Sequence, residues 1–479
     1  MFSYTGGERS THIGQALIGD RRGAHAYKLG LGWRSTNKFA VAAAEASAVG
    51  KVHALYSFDF GEDSRIAVSG GVSDHDVQLS NGPSFDYGET GFARVDARTG
   101  ATTARLFWNF GRTVFRENPT LPFRVHNDTY DASFERAFEL PASNFLTTGA
   151  SYRRNTARSN LFSPGTRDQA LYGLYFENSW AATERWTFVL SGRADHHPFT
   201  DWQYSPRGSA IYAPSEAHSF RATAAQAFRN PTLLENYFDL RAVLPLSTAP
   251  GFTQVDLTVV PNRGLDPERI QFFEVAHRGS WEFVRTGITG FYYRVANLVT
   301  ALNMVDRTSP PVILQRSVVT NAGETKALGY ELSIEAQATD WLVPFANYSY
   351  QSLIDQRAQQ TTARSAPRHK MNLGARVKRP LWTANAWLHL VDETWWSDGT
   401  NTVQPVYAKV PAYAMLNVAA TRRFTGRFDG LELTVAGFNI ADDHYELLPR
   451  QSAVAPGRNG GPIKSRWSGT LAWRFGLPR

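Results

Sequence analysis

Few residues in this chain have the types and spacings that run a reaction. His196 and His197 follow Asp195 and precede Pro198. A metal ion needs donors that converge on one point, and neighbours on a strand point to opposite faces, so this pair could serve as a ligand set only in a loop. Asp442, Asp443 and His444 put carboxylates beside an imidazole, a grouping that arises readily in polar loops. No G-x-S-x-G elbow, H-E-x-x-H helix or phosphate loop is present, and the absence of cysteine removes disulfides, thiolate catalysis, iron–sulfur clusters and zinc knuckles together. The expectation is a protein that is not an enzyme, with no catalytic residue and no resident metal. Residues suited to binding are better represented. Tyr237, Phe238 and Arg241 lie in the longest polar stretch, and Arg450 and Arg458 in the last one, where guanidinium groups offer charge-assisted hydrogen bonds to an anion. Trp395 and Trp396 sit where a strand-like run meets another polar stretch; they suit an aromatic belt at a membrane interface or stacking on an aromatic ligand.

The elements that position these groups are strands. In the run from Trp186 to Arg229, Trp186, Phe188, Leu190, Gly192 and Ala194 fall on one face, and Thr187, Ser191, Arg193 and Asp195 on the other. That period of two is a β signal, and the run reads as three strands joined first by a longer polar loop and then by a tight turn. Similar segments recur from His53 (HALYSFDF), Arg65 (RIAVSGGV), Gln169 (QALYGLYFENSW), Gly287 (GITGFYYRVANL) and Ser468 (SGTLAWRF). Each is close to the roughly 9 to 11 residues that a tilted strand needs to cross a bilayer. No helical segment with caps and a 3.6-residue period is expected between them.

Short and long connections alternate. Tight breaks at Gly61 to Ser64, Ala181 to Arg185, Pro214 to His218, Thr339 to Trp341, Lys378 to Pro380 and Thr425 to Gly430 stand between long polar stretches at Asn230 to Arg269, Met304 to Thr325, Asp355 to Arg368, Trp395 to Val410 and Ala441 to Lys464. A membrane barrel sorts its connections this way, and a soluble sandwich or propeller has no reason to. Counting back from Phe475 predicts an all-β transmembrane antiparallel barrel of about 22 strands, with Met1 inside or just before the first.

Composition agrees. The 479 residues include 19% charged and 13% aromatic side chains, less charge and more aromatic surface than a soluble domain of this size needs. The net charge of +7 comes from 50 basic and 43 acidic residues spread along the chain with no polybasic run, which argues against nucleic acid as a partner. No apolar stretch approaches the ~18 residues of a membrane helix. The opening MFSYTGGERS lacks the basic and apolar regions of a secretory signal.

Seven stretches, in order, resemble the TonB-dependent outer-membrane receptors: SPRGSAIYAP (Ser205 to Pro214), AFRNPTLLENY (Ala227 to Tyr237), LDPERIQFFEVAHRGSW (Leu265 to Trp281), NAGETKALGYELSIEAQATDWLVPFANYSY (Asn321 to Tyr350), SAPRHKMNLGARV (Ser365 to Val377), VPAYAMLNVAATRRF (Val410 to Phe424) and VAGFNIADDHYE (Val435 to Glu446). The resemblance implies a bacterial outer-membrane barrel with a gated lumen for scarce ligands, most often ferric siderophores and sometimes cobalamin, haem or sugars. It also implies energy from the TonB complex, which pulls on an N-terminal plug. Iron then enters only within a transported chelate, and no cofactor is expected. No plug-like segment or TonB-contacting peptide precedes the first strands, so residues 1–479 read as a single outer-membrane barrel domain. Two alternatives stay open: a plugless barrel acting as a passive pore, or a structural subunit filled by a plug or partner protein in trans. Other implied partners are outer-membrane lipid, lipopolysaccharide and the barrel-assembly machinery, whose terminal aromatic signal Phe475 resembles, although Gly-Leu-Pro-Arg follows it. Arg229, Pro231, Glu268, Asn321, Gly323, Gly329 and Glu331 match family patterns and are expected to be structural. Arg229 and Glu268 are placed to pair across the mouth, Pro231 to end a strand ladder, Gly323 to allow a bend and Gly329 a close strand approach.

Overall fold

Twenty-two antiparallel strands close into one barrel. The computed structural model describes the chain except residues 9, 37–46, 79–84, 116–122, 163–164, 246–250, 252, 357–365, 398–406, 443–463 and 476–479. Each barrel strand pairs with its sequence neighbour, and Phe2–Gly7 closes the ring against Arg466–Trp473, with Tyr4 opposite Leu471 and Thr5 opposite Thr470. Closure leaves no open edge, so every wall strand is paired on both sides, as a hydrocarbon environment demands. No helix among the described residues is long and apolar enough to cross a membrane, which has no bearing on crossing by strands.

Side-chain alternation decides which face is which. Leu106, Leu174, Leu190 and Val275 are 57 to 64% exposed, and the register places them with Phe188, Phe273, Ile288 and Leu328 on one continuous face. An apolar surface of that extent is tolerable only against lipid. Rings gather at its margins: Tyr4 and His12, His25 and Tyr56, and Tyr348 and His369 each join hydroxyl to imidazole Nδ1 at 2.6 Å. Amphipathic rings of this kind suit the water–hydrocarbon boundary. The opposite face looks into the lumen and carries paired charge. Asp59 sits between Arg21 and Arg65, Asp96 between Arg94 and Arg105, Asp131 faces Arg153, Asp195 faces Arg193, Glu274 takes Arg221, and Glu432 lies between Arg423 and Arg474.

The strands run longer than a membrane crossing requires, up to Phe123–Leu140, and the wall projects beyond the apolar band. At one end every connection is a short turn, such as residues 62–63, 100–101, 216–217 and 281–283. Long connections gather at the other end, though not uniformly: residues 8–10 and 198–200 are three-residue links there. The second corrects the expectation of a longer loop after His197. The polar run through Ser205 and Arg207 belongs to the strand Asp201–Ser215, whose alternate residues face a lumen that accepts polarity.

Two long connections carry structure of their own. Residues 230–267 contain a five-residue helix, Leu233–Tyr237, and the strands Leu240–Pro245 and Gln254–Val260; residues 297–323 contain Val299–Ser309 and Val312–Asn321. These four strands make a separate sheet above the barrel, in which Gln254–Val260 runs parallel to Val312–Asn321. The helix corrects the expectation of none. Its signal is the capping box Thr232-Leu-Leu-Glu235, in which Glu235 N donates to Thr232 Oγ1 at 3.2 Å and Thr232 N donates to Glu235 Oε2 at 2.7 Å.

Candidate functional site

The long-loop end is organised by one guanidinium. Arg229 ends the strand His218–Arg229, and Pro231, which has no backbone donor and is fully buried, follows where the ladder stops. The Arg229 fork meets Glu268 through Nε–Oε2 at 2.7 Å and Nη2–Oε1 at 2.8 Å, and meets Glu235 through Nη1–Oε2 at 2.9 Å and Nη2–Oε1 at 3.0 Å. Glu268 begins the next wall strand and also accepts Val299 N at 2.8 Å. One cation thus ties together a wall strand, its neighbour, the helix and the start of the second long connection. Burial works to raise the Glu235 pKa, but the hydrogen bonds from Arg229 and from Thr232 outweigh it and hold the carboxyl below its ordinary range.

A second clamp is Asn321. Its Oδ1 accepts Asp266 N at 2.8 Å, and its Nδ2 donates to Asp266 O at 2.9 Å and Asn297 O at 2.8 Å. Leu298 N donates to Gly323 O, Ala322 N donates to Leu298 O, and Asn262 Nδ2 donates to Val319 O. The two long connections therefore leave the wall as one welded unit.

Beneath the helix lies a small apolar core of Ala157, Phe162, Leu233 and Tyr237, with Phe199 packed against it. The expectation that Tyr237 contacts ligand meets a ring only 8% exposed, with the Arg167 and Arg263 guanidiniums 4.5 and 5.0 Å from its centroid. In this arrangement the tyrosine anchors the cap. Phe238 is half-buried and bridges to Phe162, whereas Arg241 is exposed on the outer sheet. The core's seat contains orphaned polar groups: His197 Nε2 and both amide atoms of Asn236 are buried with no hydrogen-bond partner among the described residues. Each costs roughly 1–3 kcal/mol, and the Arg229 network offsets part of that.

Trp395 lies on a short hairpin, Thr394–Ser397 with Tyr407–Val410, and carries Lys409 Nζ 5.6 Å from its ring centroid. The same ammonium lies 2.5 Å from Glu393 and holds that carboxyl below its usual range. Trp396 shares the hairpin backbone; its side chain, Arg450, Arg458, Asp443 and His444 lie outside the described residues. Gly329 and Glu331 face the lumen. A methyl at Gly329 would overlap the Phe291 ring and the Tyr350 carbonyl, the close approach that requires glycine there. His196 and His197 point to opposite faces: His196 packs against Tyr172 and Trp202, while His197 turns toward Phe199. Among the described residues no group of three or more histidine, aspartate or glutamate side chains is placed to hold a metal ion. Phe475 is exposed beside Trp473 at the end of the last strand.

Residues 4–440 match the family described as TonB dependent receptor-like, beta-barrel. The chain belongs to that family. The receptor barrel accordingly resides in the outer membrane of Gram-negative bacteria, with its long connections outside the cell, and its family works with TonB. Family members are transporters and not enzymes. No curated protein matches the receptor barrel in sequence. Solved structures share its fold at low identity, each covering 98% of this chain and 80% of their own. They include the siderophore receptor PirA from Acinetobacter baumannii (12% identity, TM-score 0.78), a mutant of the ferric enterobactin receptor PfeA from Pseudomonas aeruginosa with enterobactin (13%, 0.79) and the FrpB iron transporter from Neisseria meningitidis (13%, 0.76).

Proposed function

We propose that this receptor barrel takes up a ferric siderophore. The observation that carries the reading is the welded outer module, which carries the exposed Arg241 in its sheet above a barrel whose lumenal wall bears many arginines. Guanidinium groups suit anionic oxygen ligands, and a fixed platform lowers the ordering cost of binding. The names of the structural neighbours point the same way. Phe238, Arg241, Trp395, Trp396, Arg450 and Arg458 are the outer-loop contacts in this proposal, Tyr237 acts through the core it anchors, and iron enters only within the chelate. Arginines at the outer rim also suit the phosphates of lipopolysaccharide.

Uptake of radio-iron chelates by iron-starved cells carrying the complete gene, with and without TonB, tests the reading. TonB-dependent accumulation of at least one ferric siderophore is expected. Absence of uptake for tris-catecholate, hydroxamate and carboxylate chelates alike would overturn it, and large steady conductance of the refolded chain in planar bilayers would then favour a passive pore.

A further inference from the structure

The lumenal face of three consecutive strands, His25–Thr36, Ser47–Gly61 and Ser64–Gln78, carries a ladder of cations without a matching carboxylate. Register fixes its rungs. Lys28 lies across from Leu55 and Ser69, Gly30 from His53 and Gly71, Gly32 from Lys51 and Ser73, and Arg34 from Val49 and His75. The alternate residues Tyr27, Leu29, Leu31 and Trp33, and Val52 and Tyr56, are the exposed apolar ones, so Lys28, Arg34, Lys51, His53 and His75 all face inward. Rungs two residues apart are spaced by about 7 Å and neighbouring strands by about 4.8 Å.

Many arginines elsewhere on the lumenal wall pair with carboxylates, including those at Asp59 and Asp96 just below this patch. Among the described residues Lys28, Arg34 and Lys51 have neither an ion-pair nor a hydrogen-bond partner, and Asp74 and Asp76, beside His75, point to the other face. The wall is also cleared for them. His53 is flanked by Gly30 and Gly71, and a methyl at Gly30 would overlap its imidazole, as one at Gly32 would overlap the Lys51 side chain. The long side chains lie over bare backbone and have room to swing toward the lumen. The patch stands nine to ten strands round the ring from the Arg229 latch, close to the eleven that would be diametrically opposite.

We propose that this ladder is a binding surface for a multivalent anion in the lumen, with Lys51 and Arg34 as the first contacts and Lys28 receiving the anion farther down. Resting on the chelate-uptake reading, it narrows the cargo to anionic ferric chelates and disfavours uncharged ones. Uncompensated like charges on a low-dielectric wall attract a multivalent anion and discriminate against neutral ligands of equal size.

The test uses the full chain in detergent, with three probes: a trianionic ferric tris-catecholate, an uncharged ferric tris-hydroxamate and inorganic tripolyphosphate, titrated against the parent and against K28Q, R34Q, K51Q and the triple variant. Heat-modifiable migration checks folding, and K51R serves as the charge-preserving control. The expected result is catecholate over hydroxamate, a loss of about fivefold in affinity per neutralised cation, a larger loss in the triple variant, and a salt dependence that shrinks in step. Hydroxamate binding as tight as catecholate, or catecholate binding indifferent to the triple variant, overturns the ladder while leaving chelate uptake standing. Tripolyphosphate binding that the triple variant abolishes, with no ferric chelate bound, supports the ladder and overturns the chelate reading instead.

Discussion

Arg229 and Glu268 meet fork to fork at the extracellular mouth, with both contacts under 2.9 Å, although the two residues are separated by the longest connection in the chain that carries structure of its own. The same guanidinium holds Glu235, so two carboxylates share one cation. Removing the arginine leaves both acids beside each other without compensation.

Arg229→Ala is therefore expected to release the helix and the outer sheet while the wall stays intact. Charge-assisted hydrogen bonds of this kind contribute about 1.5–3 kcal/mol each where they are shielded, and less here because the pair is partly exposed. The check is limited proteolysis on cells: new cleavage within residues 230–267, with unchanged heat-modifiable migration. Resistance equal to the parent would mean that the network contributes nothing.

Asn321→Asp keeps the acceptor for Asp266 N and loses both donated bonds, to Asp266 O and Asn297 O. Faster amide exchange is expected in Gln254–Val260 and Val312–Asn321 together, because these strands pair in parallel. Exchange that rises in only one of them would show that the two connections are not coupled through this clamp.

The Glu235 carboxyl titrates below its ordinary range, so its contribution is complete above the unfolded-state value of about 4.3 and is lost as pH falls through the lowered folded value. A spin label at the exposed Leu234 should stay immobile at pH 5 and gain mobility only below about pH 4. Glu235→Gln should be mobile at both.

Gly329→Ala places a methyl against the Phe291 ring and the Tyr350 carbonyl, whereas Gly290→Ala meets nothing within 4 Å. Overpacking of the first kind costs about 1–3 kcal/mol. The yield of heat-modifiable barrel should fall for Gly329→Ala and hold for Gly290→Ala, measured side by side in the same refolding series.

Period-two alternation was enough to read the wall. Trp186, Phe188 and Leu190 opposite Thr187, Ser191 and Arg193 announce a strand with one lipid face and one wet face, and the tight breaks at Gly61 to Ser64 and Pro214 to His218 fall where the chain turns. These features are local: a strand's facing and a turn's position depend on residues within a few places of each other. The strand count followed because each wall strand pairs with its neighbour in sequence. The helix at Leu233–Tyr237 was also written locally, in Thr232 and Glu235, but a five-residue element has too little periodicity to stand out from a polar loop.

Pairing between distant segments is written in no local stretch of the chain. Nothing in Gln254–Val260 or Val312–Asn321 names the other as its partner, and strand propensity alone would let either pair elsewhere. Tyr237 looks like an exposed aromatic in a loop until Phe162 and Phe199 from two other connections, Arg167 from a wall strand and Arg263 from farther along its own connection cover it. Lys28, Lys51 and His75 are each ordinary lumenal residues in their own strands, and a shift of one residue in register would turn a whole strand to the other face. Sequence fixes the side on which each charge falls; closure of the ring and its register decide which charges become neighbours.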